Sequence, residues 1–97
     1  MWDVRISKTA EKKLKKIPKD TAESFFLLLR DLRAKGPEAK SWPNYSKMVN
    51  KKDVYHCHLN KNKPRFVAIW KVMDFSIELM EVIYVGSHEG ADYKRIK

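Results

Sequence analysis

The run VYHCHL, residues 54–59, is the first of three apolar, β-branched and aromatic stretches that fill the last third of the chain; the others are Phe66–Val72 and Ile77–Val85. Residues of these types favour extended backbone because their branched or planar side chains pack well on a pleated surface. The segments between them, Asn60-Lys61-Asn62-Lys63-Pro64 and Met73-Asp74-Phe75-Ser76, are short and rich in turn formers. Three strands joined by two short connections make an antiparallel meander.

Upstream of that meander the period changes. Asp20 and Glu23 have the form of a capping box, and behind them Ala22, Phe25, Phe26, Leu29 and Leu32 recur at helical spacing. The helix they predict runs to about Lys35, where Gly36 supplies a positive φ and Pro37 forbids continuation. A shorter helix precedes it, with Ser7 as cap and Ala10, Leu14 and Ile17 as its inner stripe, and Pro18 ends it. Two consecutive helices with a short joint read as an antiparallel hairpin. Trp2-Asp3-Val4-Arg5-Ile6 alternates apolar and polar residues, as a half-buried strand does.

Glu38–Asp53 is left as a long loop, with Trp42 and Tyr45 expected to pack as a cover over the core and Met48 as a further apolar plug. The order strand, helix, helix, strand, strand, strand predicts an α+β domain in which a helix pair covers one face of a four-stranded sheet. No repeat or linker divides the chain, so residues 1–97 form a single domain.

At this length folding buries roughly 60–70% of the surface that the unfolded chain exposes, enough for one modest core. Lys and Arg outnumber Asp and Glu by 21 to 12, and the resulting formal charge of +9 points to a polyanion or an acidic protein as partner. One cysteine, Cys57, forbids an internal disulfide, and Met1-Trp2-Asp3 does not open like a secretory signal. No apolar run approaches the roughly 20 residues that cross a bilayer. These features predict a cytoplasmic protein with no membrane contact.

Strand alternation separates Tyr55, Cys57 and Leu59 from His56, His58 and Asn60. The apolar set is expected to face the core and the imidazoles the wetter side. Two readings of the histidines follow. His56 and His58 can be metal ligands, with His88 as a third, although Cys57 points the other way and no carboxylate is near in sequence. Alternatively they transfer protons, for which an imidazole that nearby cations keep neutral is suited. Lys61, Lys63, Arg65 and Lys71 crowd the hairpin, and Tyr93, Lys94 and Arg95 lie in a basic tail. Arg65 opens the strand beside the histidines, where a guanidinium can clamp a phosphate through two hydrogen bonds.

The stretch DVYHCHLNKNKPRF, residues 53–66, resembles without a gap the central hairpin of the RelE family of ribosome-dependent messenger RNA cleaving toxins. IYVGSHEGADY, residues 83–93, is similar to that family's last strand and tail, and AEKKLKKIP, residues 10–18, fits its helical region. The resemblance implies the same α+β fold over essentially the whole chain. It places His56 and His58 where RelE has two lysines, the second a general base, and Arg65 on the arginine that holds the scissile phosphate. His88 falls where RelE has an arginine and the HigB branch often a histidine. Tyr93 matches, with a one-residue shift, the tail tyrosine that orients the substrate nucleotide. Three of these five positions differ in residue type from RelE itself.

Cutting RNA without a metal or other cofactor requires a base for the 2′-hydroxyl proton, a cation for the charge on phosphorus and an acid for the leaving 5′-oxygen. The resemblance thus implies a toxin that cleaves messenger RNA in the ribosomal A site and leaves a 2′,3′-cyclic phosphate. Its catalytic residues would be His56, His58, Arg65, His88 and Tyr93, with Lys61, Lys63, Lys71, Lys94 and Arg95 holding substrate. A cognate antitoxin would cover the basic face. Two alternatives stay open: a ParE-like inhibitor of DNA gyrase, and a non-catalytic basic module that binds nucleic acid or ribosomes.

Overall fold

Alternation at the N-terminus produces strand β1, Asp3–Ile6, in which Val4 is buried while Asp3 and Arg5 face solvent. The computed structural model describes residues 1–91. Helix α1, Lys8–Leu14, and helix α2, Lys19–Lys35, come next, followed by strands β2, Ser46–Lys47; β3, Val54–His58; β4, Phe66–Asp74; and β5, Leu79–Ser87. They form one sheet in the order β1-β5-β4-β3-β2. The meander β3-β4-β5 is antiparallel, and β1 closes the far edge by pairing parallel to β5. This is the α+β architecture expected from the sequence, extended by a fifth strand, the two-residue β2 that pairs with β3 from inside the long loop.

The Ser7 hydroxyl accepts from the Ala10 N–H at 3.1 Å and caps α1. That helix ends at Leu14, earlier than its apolar stripe suggests, because the residue before a proline is driven toward extended backbone and Ile17 precedes Pro18. It packs chiefly against β5 rather than against α2. The capping box does not form: α2 starts one residue before Asp20, Pro18 is its N-cap, and the Asp20 carboxylate accepts from the adjacent Thr21 N–H at 2.9 Å. The buried stripe of α2 is Thr21, Phe25, Leu28, Leu29 and Leu32, so Phe26 points outward. Gly36 closes the helix at φ 93° and ψ −168°, a region essentially reserved for glycine, and a Cβ there would lie 3.0 Å from the Trp2 ring nitrogen.

Between helices and sheet lies the main core, with Trp70 at its centre. Tyr45, Tyr55 and Trp70 stack with centroids 6.3–6.4 Å apart, so the loop does cover the core as its aromatics predicted. The Trp42 Nε1–H donates to the Asp31 carboxylate at 2.9 Å and ties that loop to α2. The opposite face carries a second, smaller cluster of Val54, Val67, Ile69 and Tyr84, against which Met48 packs. A bulge at Ile83 adds Tyr84 to it. Ile69 pairs with Tyr84 but Trp70 pairs with Val82, so one extra residue of β5 reverses the alternation and sends Tyr84 to this face and Val85 to the main core.

Trp70 donates its buried Nε1–H to the Pro37 carbonyl at 3.0 Å. Replacing it by Phe orphans that carbonyl, and urea unfolding should register a loss of about 1–3 kcal/mol from the missing bond alone. Phe26→Lys, on the outer side of α2, should stay within about 0.5 kcal/mol of the parent.

Candidate active site

On the face opposite the helices, side chains align in rows across β3, β4 and β5. His56 lies in register with Ile69 and Tyr84, and His58 with Val67 and Gly86. One step further, the backbone N–H of His88 donates to the Arg65 carbonyl at 2.9 Å, extending the ladder beyond Ser87 and setting His88 beside Arg65. The His58 ring centroid is 5.4 Å from that of His88 and 6.5 Å from that of His56, both edge-on. Three imidazoles and one guanidinium therefore gather at one end of the sheet.

Their exposures differ sharply. His58 is only 6% exposed, whereas His88 and Arg65 stand in solvent and His56 is half-buried. Strand alternation puts both strand histidines on a wet face; in the fold His56 is half-exposed there but His58 is buried. Burial, foremost, holds its imidazole below the ordinary value of 6.5, and His88, His56 and Arg65 add positive potential that acts the same way. Neutrality at pH 7 thus comes from desolvation first and from neighbouring charge second. The Lys side chains on which the sequence argument leaned are not among the causes.

Two positioning residues escaped the sequence reading. Ser46 on β2 pairs with His56, and both its carbonyl, at 3.2 Å, and its hydroxyl, at 3.0 Å, approach His56 Nδ1. A carbonyl only accepts, so this contact requires a proton on Nδ1 and makes Nε2 the acceptor of the neutral ring. The other is Tyr84, whose hydroxyl crosses Gly86 and donates to the Ser87 carbonyl at 2.8 Å, bracing the strand end just before His88. A Cβ on Gly86 would meet that hydroxyl at 2.8 Å, so any side chain there would have to push the tyrosine aside. Neither contact leaves a local signal, since one needs the unforeseen β2 and the other the bulge.

Asn60 shapes the β3–β4 turn. Its Nδ2 donates to the carbonyls of Asn62 and Pro64 at 3.0 and 2.9 Å, and its Oδ1 accepts from the Phe66 N–H at 2.9 Å, which fixes the backbone that carries Arg65. Lys61 and Lys63 are exposed in that turn. Lys71 shares the histidine face but pairs with Val54, about 20 Å along β4 from Arg65 at the usual strand rise, so it does not join the cluster. Tyr93, Lys94 and Arg95 lie outside the described residues. Cys57 faces the main core, and burial pushes its thiol up to about 12, which leaves it inert. Among the described residues, no group of three His, Cys, Asp or Glu side chains is placed to hold a metal ion. Nor is any helix there long and apolar enough to cross a membrane.

An open groove of about 550 Å³ leads away from the cluster, bounded by His56 and His88 at one end and by residues 46–51 along its side. None of its lining residues is a carboxylate.

No family model matches the sequence, and no curated protein matches it significantly. Solved structures do. A chain of the archaeal RelE–RelB complex from Pyrococcus horikoshii superposes with a TM-score of 0.72 at 17% identity, covering 93% of this chain and 98% of that one. An arginine double mutant of the Escherichia coli toxin RelE in its free state gives 0.71 at 18%, covering 93% and 86%. A metal-bound toxin from Helicobacter pylori gives 0.69 at 23%, covering 95% and 100%. At these identities the shared property is the fold: the chain has the architecture of RelE-type toxins.

Because the folded chain binds a proton at His58 less readily than the unfolded chain does, stability is complete above the ordinary histidine pKa and falls as pH drops below it. Urea midpoints measured between about pH 7 and pH 5 should therefore decline with acidity, and His58→Gln should flatten that decline. An unchanged pH slope in the variant would show that the ring titrates normally.

Proposed function

We propose that this protein is the toxin of a toxin–antitoxin pair and cleaves messenger RNA in the ribosomal A site by general acid–base catalysis. The observation that carries the reading is the convergence of His58, His88 and Arg65 at one sheet end, with His88 hydrogen-bonded through its backbone to Arg65 and its ring 5.4 Å from His58. The shared fold supports it, and so does the description of one similar chain as part of a RelE–RelB complex.

In this mechanism the neutral His58 takes the proton of the 2′-hydroxyl as its oxygen attacks phosphorus, with His56 assisting. Arg65 offers two N–H donors to the non-bridging oxygens as negative charge builds there. His88, exposed and able to exchange protons with solvent, protonates the 5′-oxygen as its bond to phosphorus breaks. The products are a 2′,3′-cyclic phosphate and a 5′-hydroxyl, and no cofactor enters. Tyr93 would stack on a substrate base, while Lys61, Lys63, Lys94 and Arg95 would attract the phosphate backbone. Lys71 is too far along β4 to touch the reacting phosphate, and its proposed contact is with a more distant part of the strand. The net charge of +9 favours an antitoxin with an acidic segment that covers the same surface.

Mapping messenger RNA 5′ ends after induced expression should reveal cuts phased with the reading frame, with cyclic phosphate on the upstream fragment. In single-turnover assays on programmed ribosomes, His58→Ala and His88→Ala should each lose about 10²-fold or more in rate, and Arg65→Ala a comparable amount by removing charge stabilisation. Losses below threefold in both histidine variants, or 3′-hydroxyl ends, would remove the mechanism. A chelator selective for transition metals over magnesium should leave the rate intact.

A further inference from the structure

We propose that the groove beside the imidazole cluster is a nucleotide subsite that holds the base adjoining the scissile phosphate, with the 48–51 turn as its reading wall. The assignment rests on the nuclease reading for the position of that phosphate, but the groove's own construction argues for the ligand. It opens between His56 and His88, so a chain whose phosphate lies at the cluster continues directly into it. Its volume of about 550 Å³ falls within the range of small-ligand pockets, roughly 300–1,000 Å³.

The chemistry of the wall suits a base on a charged backbone. Met48 is half-buried against the Val54, Val67 and Ile69 cluster, and its N–H donates to the Val54 carbonyl at 2.8 Å, so the thioether is a fixed, polarisable surface for a planar ring. The Met48 carbonyl accepts from the Lys51 N–H at 3.3 Å, closing a tight turn that holds Val49 out, 96% exposed. A branched apolar side chain at a turn tip has nothing in the described chain to cover it and can close over the second face of a base. Asn50, exposed beside it, offers a donor and an acceptor on one amide, the pairing that a base edge presents. Lys51 brings positive charge to the lining. The Lys47 ammonium is turned elsewhere, 5.8 Å above the Tyr55 ring and 3.9 Å from Asp53.

The chain has four methionines, Met1, Met48, Met73 and Met80, which makes methyl-labelled methionine a direct probe. Full-length protein would be titrated with 2′-O-methyl trinucleotides, which lack the attacking hydroxyl and cannot be cut. The expected result is a saturable ring-current shift of the Met48 methyl signal. The Met80 methyl, buried under the helices, should stay still. Asn50→Ala should weaken binding about fivefold, as for one net hydrogen bond, and should narrow the affinity difference between adenine and uracil trinucleotides. An unmoved Met48 signal overturns the assignment, whether fluorescence polarisation shows the trinucleotide bound elsewhere or not bound at all. A Met48 response without frame-phased cleavage in cells would sustain the groove and sink the nuclease, whereas cleavage with a silent Met48 would do the reverse.

Discussion

The backbone hydrogen bond from the His88 N–H to the Arg65 carbonyl sets the two strand ends of the candidate site side by side. It extends the β4–β5 ladder past the last assigned pair and clamps the end of one strand to the start of its neighbour. Two local devices protect that bond: the Asn60 side chain ties the turn before Arg65, and the Tyr84 hydroxyl ties the strand before His88. Both act through backbone groups, so they set position without consuming the side chains of the candidate site.

The electrostatics follow from the same geometry. Burying an imidazole beside two others disfavours its charged form twice over, by loss of water and by like charge. A buried neutral ring with exposed basic neighbours is a usable division of labour, because proton abstraction needs a free lone pair while proton donation and charge stabilisation need cations. A histidine meets the first requirement with little adjustment, since its ordinary value already lies near neutrality.

Stability and function draw on opposite sides of one sheet. The helix face holds the larger core, with Trp70 bonded to the Pro37 carbonyl and stacked on Tyr45 and Tyr55. The other face spends its apolar residues on a small cluster that anchors Met48. The bulge at Ile83 makes this division possible, because an unbroken alternation along β5 would have left Tyr84 on the helix side and the histidine face without its brace.

Periodicity alone determined the class of fold, the three meander strands and the split of His56 and His58 from Cys57, because side-chain alternation is a local property of extended backbone. Local chemistry likewise determined the Ser7 cap and the glycine closure of α2. The tertiary structure decided what depends on partners distant in sequence. It turned part of the loop into β2 and so gave His56 its Ser46 contact. It rotated the buried stripe of α2 to exclude Phe26, and it rejected the Asp20 box because Pro18 already starts the helix. Burial of His58 was invisible beforehand, since strand parity says which face a side chain takes and nothing of what packs around it. Lys71 and Arg65 share a face by parity yet lie far apart, because alternation reports direction and says nothing of distance along the strand.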